Sequence, residues 1–256
     1  MPQRAEETPI SPLDIRILPQ PDDTTCGPTC LHSLYRYYGE RVPLEQVIAE
    51  TAALEEGGTL AVFLALHALK RGYRATIYSF NLQVFDPTWA ALDAERISAK
   101  LTLQREAKKK NTKLARATGA YLEFLELGGR LKFESLTPSL IRHYLRRGTP
   151  ILTGLSATYL YQSPRERPGD HQYDDVAGLP SGHFVILAGY DMVEKRVLLA
   201  DPLKPNPLSE GQLYEVRIDQ LICAILLGIV TYDANLLIIE PKRPARKENH
   251  ADPDRS

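Results

Sequence analysis

The sequence predicts an α+β fold, with a helical part that packs on a sheet contributed mainly by the second half of the chain. Apolar residues recur at helical spacing through most of the region from residue 26 to residue 147. Beyond residue 150 the pattern changes to short apolar runs separated by Gly, Pro and Asp, which is typical of strands. Hydrophobic residues make up 43% of the 256 residues and the net charge is −1, as in an ordinary globular protein.

The first part of the chain is predicted to begin with a short edge strand over residues 13–18, before a turn rich in Pro and Asp. A helix over residues 26–38 follows, capped by Thr24 or Thr25 and stopped by Gly39. Two more helices are predicted over residues 43–54 and 59–70, with Thr59 as the cap of the second. The alternating residues 73–80 predict a strand.

The region from Pro87 to Leu127 predicts two or more helices. Between Glu95 and Arg116 it contains eight basic and two acidic residues. A solvated helix face is the simpler interpretation of this excess. A docking surface for an acidic partner or substrate is the alternative.

The remaining elements alternate between helices and short strands. The polar loop over residues 163–182 is 20 residues long and ends directly at His183, so we expect it to gate a cleft. Helices are predicted over 137–147 and 219–229, and strands over 151–155, 183–190, 196–200, 212–217 and 235–240.

The domain organisation follows from composition. We expect a flexible leader over residues 1–12, a single domain over 13–240 with a helical insertion at about 87–136, and a disordered tail over 241–256. The first twelve residues contain no apolar segment of a signal peptide, so a cytoplasmic location is expected. The longest apolar run, residues 221–230, is too short to span a bilayer. The charge balance favours neither nucleic acid nor a membrane as partner, and the oligomeric state is left open.

Three cysteines, Cys26, Cys30 and Cys223, are too few for a disulfide framework. Cys26 is predicted at the start of a helix, where free amide donors and the helix dipole favour a negatively charged sulfur. Cys26 is therefore a candidate nucleophile. Gly27 would let a substrate backbone approach it, whereas Cys30, one turn further along, is expected to be packed and inert.

A nucleophilic cysteine needs a histidine base, and that histidine needs an orienting acceptor. His183 opens a strongly apolar strand directly after Gly182, and Asp201 ends the next strand. If the two strands form a hairpin, the side chains of His183 and Asp201 meet. His171 is the main rival because it lies in a loop with several aspartates, although the spacing there matches no metal site. The chain has six histidines: His32, His67, His143, His171, His183 and His250.

An acyl-transfer site also needs donors for an oxyanion. Gln20, six residues before Cys26, is a candidate because its amide could point at the same carbonyl oxygen as the Cys26 backbone N–H. A lone Gln in a turn is usually only solvated, and a lone Cys near a helix start is usually packed. The joint occurrence of Gln20, Cys26, His183 and Asp201 in these contexts carries the prediction.

These segments resemble a known family. The sequence from Gln20 through Cys26 to Cys30, followed by Tyr-Tyr-Gly39, resembles the start of the C39-type peptidases. The runs 182–191 and 197–202 resemble the histidine and aspartate motifs of that family. The resemblance implies a papain-like fold in which a nucleophile helix packs on an antiparallel sheet. It also implies Cys26 as nucleophile, His183 as base, Asp201 as its orienting acid and Gln20 as oxyanion donor. Apart from the resemblance, we expect Gly27 and Gly182 to bind the substrate.

Known members of this family include peptidase domains of bacteriocin exporters, which cut leader peptides after a double glycine. This chain has neither an exporter's membrane segments nor a Walker A motif, so the exporter substrate cannot be transferred to it. A cysteine peptidase or isopeptidase acting on a peptide or protein is the first hypothesis. A transglutaminase-like or amide-hydrolysing acyl-transfer enzyme and a non-catalytic peptide-binding module are the alternatives. No metal or organic cofactor is expected.

Overall fold

The computed structural model describes residues 12–55, 57–170 and 172–242. The predicted leader lies outside the described residues except for Pro12, and so do His171 and the tail from residue 243. The disordered tail was predicted to begin at residue 241, but Pro241 pairs with Tyr73 as the last residue of a strand.

Eight α-helices occur in the described part of the chain. They are α1 (Cys26–Tyr37), α2 (Leu44–Glu50), α3 (Ala61–Lys70), α4 (Ala94–Ala107), α5 (Thr112–Glu126), α6 (Pro138–Leu145), α7 (Ala157–Tyr161) and α8 (Ile218–Leu227). Short 3-10 segments cover Pro87–Ala91 and Gly228–Thr231. Helix α1 confirms the helix predicted to begin at Cys26. Gly39 ends that region with a φ of +85°, a conformation that glycine adopts without strain.

Seven strands of the described chain form one sheet in the order β2-β1-β7-β3-β4-β5-β6. They are β1 (Tyr73–Ser79), β2 (Arg130–Lys132), β3 (Ile151–Ser156), β4 (Gly182–Asp191), β5 (Arg196–Ala200), β6 (Leu213–Arg217) and β7 (Asn235–Pro241). The pair β1–β2 is parallel and the other pairs are antiparallel. The fold is therefore mixed α+β, as predicted.

A separate hydrophobic core covers each face of the sheet. Helices α1 to α5 pack into the first core, which includes Leu31, Phe63 and Phe184. Helices α6 to α8 pack into the second, which includes Val185 and Tyr214. Because side chains alternate between the faces of a strand, neighbouring residues of β4 enter opposite cores. The sheet is thus covered on both sides, and α1 packs directly against β4.

Several local expectations differ from the structure. Residues 13–18 form no strand, because only Leu13 bonds to the sheet, donating its N–H to the carbonyl of Ala188 at 2.7 Å. The Thr59 hydroxyl caps no helix and donates instead to the carbonyl of Ala52 at 2.8 Å. Strand β2 and helix α7 have no counterpart among the predicted elements. Strand β2 is only three residues long and α7 only five, which is too short for a periodic pattern to reveal.

Candidate active site

The hairpin β4–β5 brings His183 and Asp201 together at one end of the sheet. Ile186 pairs with Ala200 in this hairpin, so the residue that follows Ala200 lies beside the start of β4. The Nε2 atom of His183 is 2.8 Å from Oδ1 of Asp201. Both side chains are buried, with exposed fractions of 6% and 0%. The juxtaposition predicted from the hairpin is therefore confirmed.

Cys26 reaches the same point from the other side of the sheet. It is the first residue of α1, and the first turn of this helix contains no acidic residue to oppose a negative charge there. Its side chain is close enough to the His183 ring to shift the pKa of that histidine. Because Nε2 of His183 is occupied by Asp201, Nδ1 is the nitrogen left for the sulfur. The helix start and the hairpin thus assemble Cys26, His183 and Asp201 in a row.

The Asp201 carboxylate accepts more hydrogen bonds than the sequence analysis predicted. Its Oδ2 accepts from the hydroxyls of Tyr161 at 2.7 Å and Tyr214 at 2.5 Å. Its Oδ1 accepts from the backbone N–H of Leu203 at 2.9 Å, in addition to the contact with His183. Tyr214 could have been found from the alternation of side chains along the predicted strand over residues 212–217. Gln212 bonds to Asp201 across β5–β6, and Tyr214 lies on the same face of that strand as Gln212. Tyr161 could not have been found, because α7 itself was missed.

The charges of this row shift the pKa values of its members. Burial alone would lower the pKa of His183, but the negative charges of Asp201 and Cys26 outweigh it and raise that pKa to about 10. Burial opposes ionisation of Asp201 as well. The His183 charge and the hydrogen bonds at the carboxylate prevail and lower the pKa of Asp201 to about 2. At neutral pH the pair is therefore an imidazolium–carboxylate pair.

Gln20 is held close to this row by its backbone. Its N–H donates to the carbonyl of Pro202 at 2.9 Å, which ties the turn before α1 to the residue after Asp201. The side-chain Nε2 donates to the carbonyl of Asp22 at 2.9 Å. A primary amide has two N–H donors, so one of them is left for an oxyanion. The proposed role of Gln20 remains a prediction.

The two predicted substrate-binding glycines differ in their surroundings. A side chain at Gly27 would collide with Thr59, 2.5 Å away, and would crowd Phe184. The glycine there allows α1 to pack, so the space predicted for a substrate is occupied by the protein itself. Gly182 is exposed and lines a groove of about 270 Å³. A Cβ at Gly182 would lie 2.1 Å from Oδ2 of Asp233.

The groove beside Gly182 runs between the turn before α1, the Gly57–Gly58 segment and the loop over 163–182. That loop is held by its own hydrogen bonds. Glu166 and Leu179 exchange two backbone bonds of 3.0 and 2.8 Å, and Asp174 donates to the carbonyl of Arg165 at 2.8 Å. Val176 is 82% exposed in the loop. The function of the loop over 163–182 as a lid stays a prediction.

The other two cysteines have distinct environments. Cys30 is fully buried, and its Sγ donates to the carbonyl of Phe184 at 3.3 Å. Cys30 is therefore packed, as predicted. Burial also raises the pKa of its thiol well above the usual range. Cys223 is exposed. Nowhere in residues 12–55, 57–170 and 172–242 do three His, Cys, Asp or Glu side chains group to hold a metal ion. No helix in these ranges is long and apolar enough to cross a membrane.

Comparisons with known proteins return structural similarity only. No family model and no curated protein sequence matches the chain. A double glycine motif protease from an AMS/PCAT transporter, solved with its leader peptide, is 14% identical over 90% of this chain and 94% of its own, with a TM-score of 0.43. A C39-like peptidase from Bacillus anthracis is 14% identical over 91% and 96%, with a TM-score of 0.44.

The peptidase domain of Streptococcus ComA, a bifunctional ABC transporter involved in quorum sensing, is 11% identical over 89% of this chain and 99% of its own. Its TM-score is 0.42. Identities and scores at this level establish neither a family nor an activity. The function must therefore be argued from the geometry of Cys26, His183 and Asp201.

Proposed function

We propose that this chain is a cysteine hydrolase of the C39-like, papain-type class, which cleaves a peptide or isopeptide bond through a thioester acyl-enzyme. The observation that carries the proposal is the row of Cys26, His183 and Asp201, in which a thiol at a helix start faces a buried histidine that is paired with a fully buried carboxylate. A sulfur nucleophile next to a protonated imidazole is the arrangement that covalent acyl chemistry requires.

In the acylation step, the Cys26 sulfur, as a thiolate beside the protonated His183 ring, attacks the carbonyl carbon of the scissile bond. The negative charge moves to the carbonyl oxygen, where the backbone N–H of Cys26 and the second amide N–H of Gln20 would stabilise it. As the C–N bond breaks, His183 donates its proton to the leaving amine. The products are a free amine and a thioester on Cys26.

In the deacylation step, a water molecule attacks the thioester while His183 accepts its proton. The C–S bond then breaks, the acid product leaves, and the proton returns to the Cys26–His183 pair. Asp201 stays ionised throughout and holds the ring with Nε2 toward itself, which keeps Nδ1 directed at the sulfur.

The test is the rate at which iodoacetamide alkylates each cysteine, read by mass spectrometry from pH 5 to pH 9. The chain supplies its own controls, because Cys223 is an exposed thiol and Cys30 a buried one. We expect Cys26 to react faster than Cys223 below pH 7, although Cys26 is only 8% exposed. The advantage should disappear in His183→Ala.

A Cys26 rate no greater than that of Cys223, and equal in wild type and His183→Ala, would contradict the proposal and favour a peptide-binding module. A positive result leads to a peptide library screen in which the thioester on Cys26 is detected by its mass. Adding a primary amine then separates hydrolysis from acyl transfer. A product that incorporates the amine would replace the hydrolase with the acyl-transfer alternative.

A further inference from the structure

We propose that Tyr161 and Tyr214 are positioning residues of this site, whose hydroxyls together fix the Asp201 carboxylate so that it stays ionised and directed at His183. The inference rests on the proposed function for its catalytic meaning, but the fixation itself is a separate, measurable property. It adds two residues to the site that neither the sequence motifs nor the proposed roles of the four predicted catalytic residues require.

The geometry leaves the carboxylate no unoccupied acceptor position. A carboxylate has about four lone-pair sites, and Asp201 accepts four donors. Two are on Oδ1, from the His183 ring and the Leu203 N–H, and two are on Oδ2, from the hydroxyls of Tyr161 and Tyr214. A rotation about the Cβ–Cγ bond would break all four bonds at once. The tyrosines therefore hold one carboxylate oxygen in place while the other faces the histidine.

The two hydroxyls come from different parts of the fold. Tyr161 is the last residue of α7, and its ring centroid is 5.9 Å from that of His183. Tyr214 is on β6, the edge strand of the sheet. Both are largely buried, with exposed fractions of 9%. Helix α7 and strand β6 thus meet at a single carboxylate oxygen, which makes the orientation of Asp201 depend on tertiary packing.

Charge explains why neutral donors suit this position. Besides the two tyrosines, His183 on β4 and Cys30 on α1 interact with the Asp201 charge. Burial, followed by the charge of Asp201, raises the pKa of both Tyr161 and Tyr214 far above the usual value, so both remain donors at any pH the protein meets. A second cation there would compete with His183 for the carboxylate, whereas a hydroxyl does not.

The experiment compares wild type with Tyr161→Phe, Tyr214→Phe and the double variant. Phe retains the ring and removes only the donor. The matched control is Tyr38→Phe, which deletes a hydroxyl that donates to the carbonyl of Ile239 at 2.7 Å. The first readout is solvent exchange of the His183 Nε2–H, followed as a downfield proton by NMR. The second is the rate of Cys26 alkylation at pH 6 to 8.

We expect the Nε2–H to exchange about tenfold faster or more in the double variant, because charge-assisted hydrogen bonds of this kind contribute that much. Each single variant should show a smaller increase and the control none. The rate of Cys26 alkylation should fall by a similar factor. A merely structural role for the hydroxyls would lower stability but leave both readouts at the wild-type level.

Unchanged exchange in the double variant, or in both single variants if the double variant does not fold, would overturn the proposal. Faster exchange combined with an unactivated Cys26 in wild type would support the positioning role and contradict the proposed hydrolase. The two proposals can therefore fail separately.

Discussion

Two histidine–carboxylate pairs in the described part of the chain have similar contacts and opposite protonation. In one, Nε2 of His183 is 2.8 Å from Asp201. In the other, Nε2 of His67 is 3.1 Å from Glu50. Both histidines are buried, with exposed fractions of 6%. The pKa of His183 is raised, whereas burial lowers that of His67 and the bond to Glu50 offsets only part of the effect.

The exposure of the two carboxylates explains one part of the difference between the pKa values of His183 and His67. The Asp201 side chain is fully buried and accepts four protein donors, whereas the Glu50 side chain is 43% exposed. A charge that water reaches is screened and stabilises a nearby imidazolium weakly. The buried Asp201 has no such screening, so its charge stabilises the His183 imidazolium strongly.

The partner of the second ring nitrogen, Nδ1, explains the rest of this difference in pKa. Nδ1 of His67 is 2.7 Å from the Tyr35 hydroxyl. Burial lowers the pKa of His67, so its ring is neutral at pH 7. With its proton on Nε2 for the Glu50 carboxylate, Nδ1 is left to accept from the Tyr35 hydroxyl. Nδ1 of His183 instead faces Cys26, which can take a negative charge. A histidine–carboxylate contact therefore does not define a reactive site by itself.

The largest effect is expected from Asp201→Asn, which removes the charge and keeps the shape. Burial would then lower the pKa of His183, and the amide could donate to Nε2 and reverse the tautomer. The rate of Cys26 alkylation at pH 6 should fall roughly 10²- to 10⁴-fold. Mass spectrometry of the labelled protein measures this rate. A loss below about tenfold would mean that the buried carboxylate is not what separates the two pairs.

A smaller effect concerns how stability depends on pH, where the two histidines should act in opposite directions. Native His183 holds its proton up to about pH 10, whereas in the unfolded chain it loses it near 6.5. Its stabilisation is complete below pH 6.5 and is lost as the pH rises toward 10, on the order of 5 kcal/mol. Native His67 binds its proton less readily than the unfolded chain, so its contribution is lost as the pH falls below about 6.5.

Urea unfolding of His183→Gln and His67→Gln against wild type, at pH 5, 7 and 9, measures these slopes. The cost of His183→Gln should be largest at pH 5 and smallest at pH 9. The cost of His67→Gln should be smaller at pH 5 than at pH 7. If the loss of unfolding free energy changed with pH in the same way for both variants, the two pairs would not differ in charge.

The smallest effect is expected from Glu50→Gln. The amide oxygen still accepts from the neutral His67 ring, and an exposed charge contributes little. The melting temperature should change by less than about 2 °C, and Cys26 alkylation should match wild type. A large loss of Cys26 reactivity would mean that the two pairs are coupled and that the comparison between them is false.

The sequence by itself determined the local frame of the candidate site. The turn before Cys26 and the helix pattern after it placed the cysteine at the start of α1. The apolar runs around His183 and Asp201 predicted the hairpin that joins them. Such features are encoded by neighbouring residues, because turn chemistry and side-chain periodicity act over short stretches of chain.

Only the tertiary structure decided which groups complete the site. Tyr161 and Tyr214 reach Asp201 from elements 53 residues apart in the chain, and Gly27 proved to be a packing contact of Thr59 and Phe184. His183 and His67 are chemically identical in the sequence. Their different protonation follows from burial and from the partner on the second nitrogen, both of which exist only once the distant segments have packed together.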